Sequence, residues 1–214
     1  MRTAAFPRRG LYAVSGAHDD RDGLLAWAQA VLEGGAACLQ YRDKHSDAAE
    51  RLRRAGALAT LCRAFGRPLL VNDDPALAAS VEAAGVHLGR DDTGIADARD
   101  LLGPGAVIGV SCYGDPTRAD ELAAQGADYL AFGTFADSTT KPSARRADPA
   151  VLAIARRHGL PLVAIGGITP DNGGALIAAG ADLLAVVAGL AGPPAQARAA
   201  ARRYAALFAA TDPR

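Results

Sequence analysis

Eight short apolar runs, separated by segments with helical spacing, constrain the fold of this chain more than any other feature. The expected strands are Leu11–Val14, Ala37–Tyr41, Leu69–Val71, Val86–Leu88, Val107–Val110, Tyr129–Phe132, Leu162–Ile165 and Leu183–Val187. Runs of this kind are typical of strands that are buried on both faces. Between the first two runs, the apolar residues Leu24, Trp27, Ala28, Val31 and Leu32 follow the i, i+3, i+4, i+7, i+8 spacing of an amphipathic helix.

Eight such βα units in a chain of 214 residues predict an α/β fold, a single (β/α)8 TIM barrel. We expect one domain over residues 1–214, with the barrel at about 10–208 and short flexible termini. The alternative is a doubly wound open sheet. That fold favours a glycine fingerprint after the first strand, and the segment VSGAH at 14–18 does not supply one.

Four glycines follow alanine-rich helical segments and introduce a strand, namely Gly35, Gly85, Gly126 and Gly180. A glycine at the end of a helix commonly adopts the left-handed conformation. We therefore expect all four to cap the preceding helix.

The overall composition excludes several classes of protein. The formal net charge is zero and the pI is about 6.9, so nothing indicates a nucleic-acid partner. We find no signal-peptide core and no apolar run long enough to span a membrane. Cys38, Cys62 and Cys112 are scattered without metal-ligand spacing, which predicts reduced thiols in a cytoplasmic protein. The oligomeric state is left open, with a homo-oligomer among the alternatives.

The segment LVAIGGITPDN at 162–172 predicts a buried strand, a tight glycine turn and the start of a helix. Thr169 is a candidate N-cap, and Pro170 suits the first helical position. Free N–H groups and the helix dipole make such a corner a potential phosphate site. The alternative is a tight turn in which Gly166 and Gly167 serve packing alone.

Side chains at the ends of three strands suggest a site for anions and a metal ion. Gln40, Arg42 and Lys44 alternate onto one side of the second strand and are either a clamp for a di-anion or a solvated loop. Asp73 and Asp92 follow the third and fourth strands. Carboxylates that converge there suit Mg²⁺, and the alternative is that they cap the following helices.

Neighbouring polar residues have simpler interpretations. Asp74 and Asp91 are candidate helix caps, and His87 is a candidate core histidine. Ser111 either binds substrate or caps a helix. The polar segment at 133–147 is longer than a connection requires and suggests a lid that brings Lys141 over phosphates.

Six segments in this order and spacing resemble those of thiamine phosphate synthases. They are QYRDK at 40–44, VNDD at 71–74, HLGRDD at 87–92, IGVSCY at 108–113, STTKP at 138–142 and AIGGITPDN at 164–172. The resemblance covers nearly the whole chain and implies a (β/α)8 barrel. It also implies a reaction that joins 4-amino-2-methyl-5-pyrimidinylmethyl diphosphate to a thiazole ethyl phosphate, giving thiamine phosphate and pyrophosphate.

The resemblance implies a role for each matching residue. The pyrimidine diphosphate would be bound by Gln40, Arg42, Lys44, Asn72, Ser111 and Lys141, with Tyr41 and Asp43 of the same QYRDK segment among the substrate-binding residues. Mg²⁺ would be held by Asp73 and Asp92. The thiazole phosphate would be held by Ser138, Thr139, Thr140, Gly167, Val187 and Ala188. Diphosphate would leave in a dissociative step assisted by Arg42, Lys44, Lys141 and Ser111, with no protein nucleophile.

The sequence departs from the usual family pattern at several positions. Ser15 stands at the end of the first strand in place of a threonine, Arg90 in place of glutamine, and Ala188 in place of serine. Asp137 and Thr139 replace two prolines of the loop.

Two rival functions remain, a thiazole tautomerase with the same fold and a non-catalytic protein that binds thiamine precursors.

Overall fold

The parallel strands of the molecule close into a barrel in which neighbours in sequence are neighbours in space. The computed structural model describes residues 5–136 and 146–210. Its strands are β1 Gly10–Val14, β2 Ala36–Tyr41, β3 Leu69–Asn72, β4 Gly85–Leu88, β5 Val107–Tyr113, β6 Tyr129–Phe132, β7 Leu162–Ile165 and β8 Leu183–Val186. Strand β8 pairs with β1 to complete the ring. This closure confirms the (β/α)8 prediction and excludes the open sheet.

A helix follows each strand and lies on the outside of the barrel. The helices are α1 Arg21–Glu33, α2 Ala48–Ala64, α3 Pro75–Ser80, α4 Ile95–Leu102, α5 Pro116–Ala124, α6 Ala150–Ala155, α7 Pro170–Ala178 and α8 Pro194–Ala210. Asp74 caps α3 by accepting the N–H of Leu77, as expected. The expectation for Asp91 is wrong, because α4 begins after Gly94 without any side-chain cap.

Side chains of the strands alternate between two apolar clusters. Leu11 and Ala13 of β1 face the helices, whereas Tyr12 and Val14 face the barrel interior. This alternation follows from the two-residue period of a strand. At the N-terminal end of the barrel, the ring of Phe6 stacks on Tyr129 with a centroid distance of 4.3 Å. Phe6 therefore covers Tyr129 at that end of the interior.

The expectation for the four glycines before strands is correct at three of them. Gly35, Gly126 and Gly180 have φ values of +100°, +92° and +119°. Gly85 does not cap a helix but is the first residue of β4. A Cβ atom there would lie 1.8 Å from the carbonyl oxygen of Val107. Gly85 is thus required because β4 and β5 approach each other closely.

The remaining global expectations concern cysteines and membranes. Cys38, Cys62 and Cys112 are all buried free thiols, which agrees with the prediction of reduced cysteines. Across residues 5–136 and 146–210, helices are either too short or too polar to cross a bilayer.

Candidate active site

A large cavity lies at the C-terminal ends of the strands. Its volume is about 1510 Å³. The structure brings together ten of the residues singled out from sequence, and they line it side by side: Gln40, Arg42, Lys44, Asn72, Asp73, Asp92, Ser111, Gly167, Val187 and Ala188. They come from six different strand ends. In a (β/α)8 barrel this is the face on which active sites are built.

The acidic side of the cavity is formed where β3 and β4 end. Asp73 adopts a φ of +64°, a conformation that Asp tolerates better than most residues. Its amide donates to the carbonyl of His87 at 2.9 Å, which fixes the turn. The carboxylate lies 3.3 Å from Nζ of Lys44, so a cation from β2 already meets this site.

Asp92 turns back toward Asp73. Its Oδ2 accepts the N–H of Gly89 at 2.6 Å. Burial raises the pKa of Asp92, and a hydrogen bond between its carboxyl group and that of Asp73 raises the pKa further. Two neighbouring carboxyl groups repel each other when both are ionised, so the pair favours a cation between them. The oxygen donor set fits Mg²⁺.

The two carboxylates would form only part of a coordination shell. Within residues 5–136 and 146–210, no group of three or more His, Cys, Asp or Glu side chains is placed to hold a metal ion. Mg²⁺ characteristically binds one or two carboxylates and completes its octahedron with waters and substrate phosphates. Two carboxylates are therefore enough for that mode of binding, in which waters and substrate phosphates supply the remaining ligands.

Arg42 enters the cavity from a backbone that is tied to β1. The amide of Arg42 donates to Oγ of Ser15 at 2.8 Å, and the same hydroxyl donates to the carbonyl of Arg42 at 3.2 Å. Ser15 therefore keeps a structural function at a position where the sequence departs from the family pattern. No carboxylate of a described residue lies within ion-pair distance of the Arg42 guanidinium. An anion is the partner that this group is suited to bind.

Tyr41 and Asp43 are the two described residues of the predicted set that do not reach the cavity. Tyr41 packs between the barrel and the helices, and its hydroxyl donates to Oδ2 of Asp43 at 3.0 Å. Asp43 also accepts the N–H groups of His45 and Ser46, both at 3.0 Å. Tyr41 misses the cavity because side chains of adjacent strand residues point to opposite faces. The contacts of Tyr41 and Asp43 instead hold the loop that carries Arg42 in place.

A glycine corner forms the opposite side of the cavity, after β7. Gly166 and Gly167 have φ values of +97° and +66°. Thr169 and Asn172 form a capping box at the start of α7, which confirms the predicted N-cap. Asn172 also donates to the carbonyl of Gly167 at 2.9 Å. The corner is therefore rigid, and it presents the positive end of the α7 dipole to the cavity.

A chain of hydrogen bonds crosses the interior below the cavity. Gln40 Nε2 donates to the hydroxyl of Tyr12 at 2.8 Å, and the hydroxyls of Tyr12 and Tyr129 are 2.9 Å apart. The hydroxyl of Tyr129 lies 2.9 Å from Nδ1 of His87, whose Nε2 lies 2.9 Å from Oγ of Ser111. His87 is therefore a buried interior residue, as expected, and Ser111 is not a helix cap.

Sequence reasoning missed Tyr12 and Tyr129. The available signal was the presence of two phenols at inward positions of strands that are otherwise apolar, in a chain with only five tyrosines. A buried phenol normally finds a hydrogen-bond partner. Pairing the two required the closed barrel, because they are separated by 117 residues.

Comparisons with known proteins place this geometry in a family. The model of the thiamine monophosphate synthase family matches residues 11–190. The chain belongs to the thiamine monophosphate synthase family. Its members catalyse a step of thiamine biosynthesis, and the chain is accordingly a transferase, as the resemblance implied.

Individual relatives agree along nearly their whole length. The thiamine-phosphate synthase of Thiobacillus denitrificans is 54% identical, with 94% of both chains covered. That of Marinobacter nauticus is 52% identical, with 96% of this chain and 94% of the relative covered. Among solved structures, the thiamine phosphate pyrophosphorylase of Pyrococcus furiosus has a TM-score of 0.82 and 29% identity, covering 95% of this chain and 96% of that chain.

Other departures from the family pattern also have a place in the structure. The guanidinium of Arg90 lies over the ring of Tyr113, 5.1 Å from its centroid, which is a cation–π distance. Ala188 follows Val187 beside the glycine corner, where the backbone begins a short 3-10 turn. Ser138, Thr139, Thr140 and Lys141, together with Asp137, lie outside the described residues, so the lid remains a prediction.

Proposed function

We propose that this chain joins 4-amino-2-methyl-5-pyrimidinylmethyl diphosphate to a thiazole ethyl phosphate. The products are thiamine phosphate and pyrophosphate. One observation supports the proposal: the same cavity is lined by Arg42 and Lys44 on one side and by the glycine corner before α7 on the other. Two substrates that each carry phosphate, and must react with each other, require such an arrangement.

The diphosphate is assigned to the side formed by β2, β3 and β4. Arg42 and Lys44 supply fixed positive charge there, and Asp73 and Asp92 would hold Mg²⁺. When bound, Mg²⁺ would supply positive charge to the leaving diphosphate. Lys141 is proposed to add a further cation when the loop closes. Asn72 and Gln40 line the wall beside this group, where the pyrimidine ring would lie.

The thiazole phosphate is assigned to the glycine corner. Gly167, Val187 and Ala188 contribute backbone at this side, and the N-terminus of α7 adds a favourable dipole. Ser138, Thr139 and Thr140 are proposed to complete the phosphate contacts. Anchoring the phosphate would aim the thiazole nitrogen at the carbon that loses diphosphate.

The reaction is proposed to be dissociative and to need no protein nucleophile. The C–O bond to diphosphate breaks first, and the thiazole nitrogen then captures the pyrimidinylmethyl cation. Cys112 lies in the cluster between barrel and helices, and burial raises the pKa of its thiol to about 12, so it is unsuited to attack. Buried free thiols also support a reducing, cytoplasmic setting.

The test is a two-substrate assay with and without Mg²⁺. We expect equimolar thiamine phosphate and pyrophosphate that depend on the metal. Asp92→Asn keeps an oxygen for the N–H of Gly89 but removes the negative charge, so we expect turnover to fall at least 100-fold. Asp97→Asn removes the same charge from the exposed side of α4 and is the matched control.

Two results would contradict the proposal. Isomerisation of a thiazole phosphate without coupling would indicate a tautomerase, and binding without turnover would indicate a precursor-binding protein. Equal turnover by Asp92→Asn and Asp97→Asn would reject the metal assignment alone.

A further inference from the structure

The hydrogen-bonded chain from Gln40 to Ser111 has two ends at the cavity and a middle that substrate cannot reach. Gln40, His87 and Ser111 line the cavity, whereas the relative exposures of Tyr12 and Tyr129 are 1% and 0%. Every phenol and imidazole atom in the middle must therefore be satisfied by its neighbours. A buried donor without an acceptor costs about 1–3 kcal/mol.

This requirement gives the chain a direction. Nε2 of Gln40 can only donate, so the oxygen of Tyr12 accepts there. The single proton of Tyr12 must then go to Tyr129, and that of Tyr129 to Nδ1 of His87. Nδ1 of His87 thus accepts a hydrogen bond, and an imidazole whose Nδ1 accepts is neutral and carries its proton on Nε2.

The direction fixes what each end offers to a ligand. Nε2–H of His87 donates to Oγ of Ser111, which leaves the Ser111 proton available to the cavity. At the other end, Gln40 uses its amide nitrogen on Tyr12 and leaves Oε1 available as an acceptor. Reversing one end would require an amide flip, rotation of two phenols and a change of imidazole tautomer together.

We propose that Tyr12 and Tyr129, acting through His87, are positioning residues that set the hydrogen-bonding polarity with which this site selects its pyrimidine. The inference rests on the proposed function. An acceptor at Gln40 and a donor at Ser111 match an amino group beside a ring nitrogen, which together present one donor and one acceptor. A 4-oxo ring presents the opposite pattern, with a carbonyl acceptor beside a ring N–H donor.

The experiment compares kcat/KM for the 4-amino and 4-oxo pyrimidinylmethyl diphosphates, with the thiazole phosphate saturating. We expect the wild type to favour the amino substrate at least 100-fold, because a mismatched edge leaves polar groups of the site unpaired. Tyr129→Phe interrupts the chain at its centre and frees both ends to reorient. We therefore expect the selectivity ratio to fall at least tenfold in that variant.

Controls separate polarity from stability. Asp182→Ala removes a hydrogen bond to the N–H of Leu162 at the N-terminal end of the barrel, and we expect it to leave the ratio unchanged. Tyr12→Phe frees the amide of Gln40 and is the second variant, should Tyr129→Phe fail to fold. We expect it to lower the ratio as well.

The outcomes are distinct. A folded Tyr129→Phe or Tyr12→Phe enzyme with an unchanged ratio would overturn the inference, as would a wild type that does not discriminate. With either of these results, turnover of the amino substrate by the wild type would still support the proposed function. Absence of wild-type turnover would reject the proposed function and, with it, the inference.

Discussion

Substitution of Gly167 tests whether the corner after β7 binds phosphate or only packs. Gly167 has a φ of +66°. A Cβ atom at this position would lie 2.7 Å from three atoms of Ala136, namely its carbonyl carbon, its carbonyl oxygen and its Cβ. An alanine in this left-handed conformation costs about 1–2 kcal/mol. The overpacking against Ala136 adds about 1–3 kcal/mol.

The expected loss of stability in Gly167→Ala is therefore roughly 2–5 kcal/mol by the sum of these two effects. For a chain of this size that is a decrease in Tm of about 4–20 °C. If the N–H groups of the corner bind phosphate, their displacement also removes a charged hydrogen bond of about 1.5–3 kcal/mol. The KM for the thiazole phosphate should then rise about 10- to 100-fold.

The matched control is Gly174→Ala in helix α7, which follows the corner. A Cβ atom at Gly174 would meet nothing within 4 Å, and alanine is favoured over glycine inside a helix by about 0.5–1 kcal/mol. We expect a small gain in Tm and an unchanged KM. The assays are thermal unfolding by circular dichroism and initial rates at varied thiazole phosphate. A Gly167→Ala enzyme that unfolds earlier but keeps the wild-type KM would refute phosphate binding at the corner.

Two further predictions concern stability. Gly85→Ala places a Cβ 1.8 Å from the Val107 oxygen, so we expect chemical denaturation to show a loss of stability of at least about 3 kcal/mol. The control is Gly105→Ala, where a Cβ would meet nothing within 4 Å, and we expect it to change stability by less than about 1 kcal/mol. Equal losses in the two variants would contradict the close approach of β4 and β5 at Gly85. Burial raises the pKa of Asp43, but the N–H groups of the following loop outweigh it and lower the pKa well below its usual range. Because the pKa of Asp43 is lower in the folded than in the unfolded protein, its ionised carboxylate stabilises the fold above the unfolded pKa of about 4, and this stabilisation is lost as the pH falls toward the folded pKa. The Tm difference between wild type and Asp43→Asn should therefore be largest near neutral pH and shrink in acid. A difference that does not change with pH would contradict this.

Much of the fold could be predicted because its signals are local. Strand β7, Leu162–Ile165, and strand β6, Tyr129–Phe132, have the predicted bounds, since a buried parallel strand is a short apolar run between turn residues. The Thr169 cap was equally visible, because capping depends on residues three positions apart. Gly85 was misread because a helix cap and a close strand contact both select glycine.

The candidate site was predictable in part for the same reason. Strand ends indicated Gln40, Arg42 and Lys44, since alternation places them on one side, and the structure brings all three to the cavity. The resemblance of the QYRDK segment predicts substrate contacts for Tyr41 and Asp43 as well, but alternation turns Tyr41 outward. Residue type and spacing thus located the site. Its buried inner residues, Tyr12 and Tyr129, could be identified only from the register between the strands.

What the sequence determined by itself was the alternation of eight strands and helices, the helix starts and the family of the enzyme. What only the tertiary structure decided were contacts between distant segments: the ion pair of Lys44 with Asp73, and the hydrogen-bonded chain from Gln40 to Ser111. Local periodicity records which face of a strand is buried. It does not record which partner the closed barrel brings within 3 Å, because the register between strands and the burial of each polar atom are properties of the whole ring.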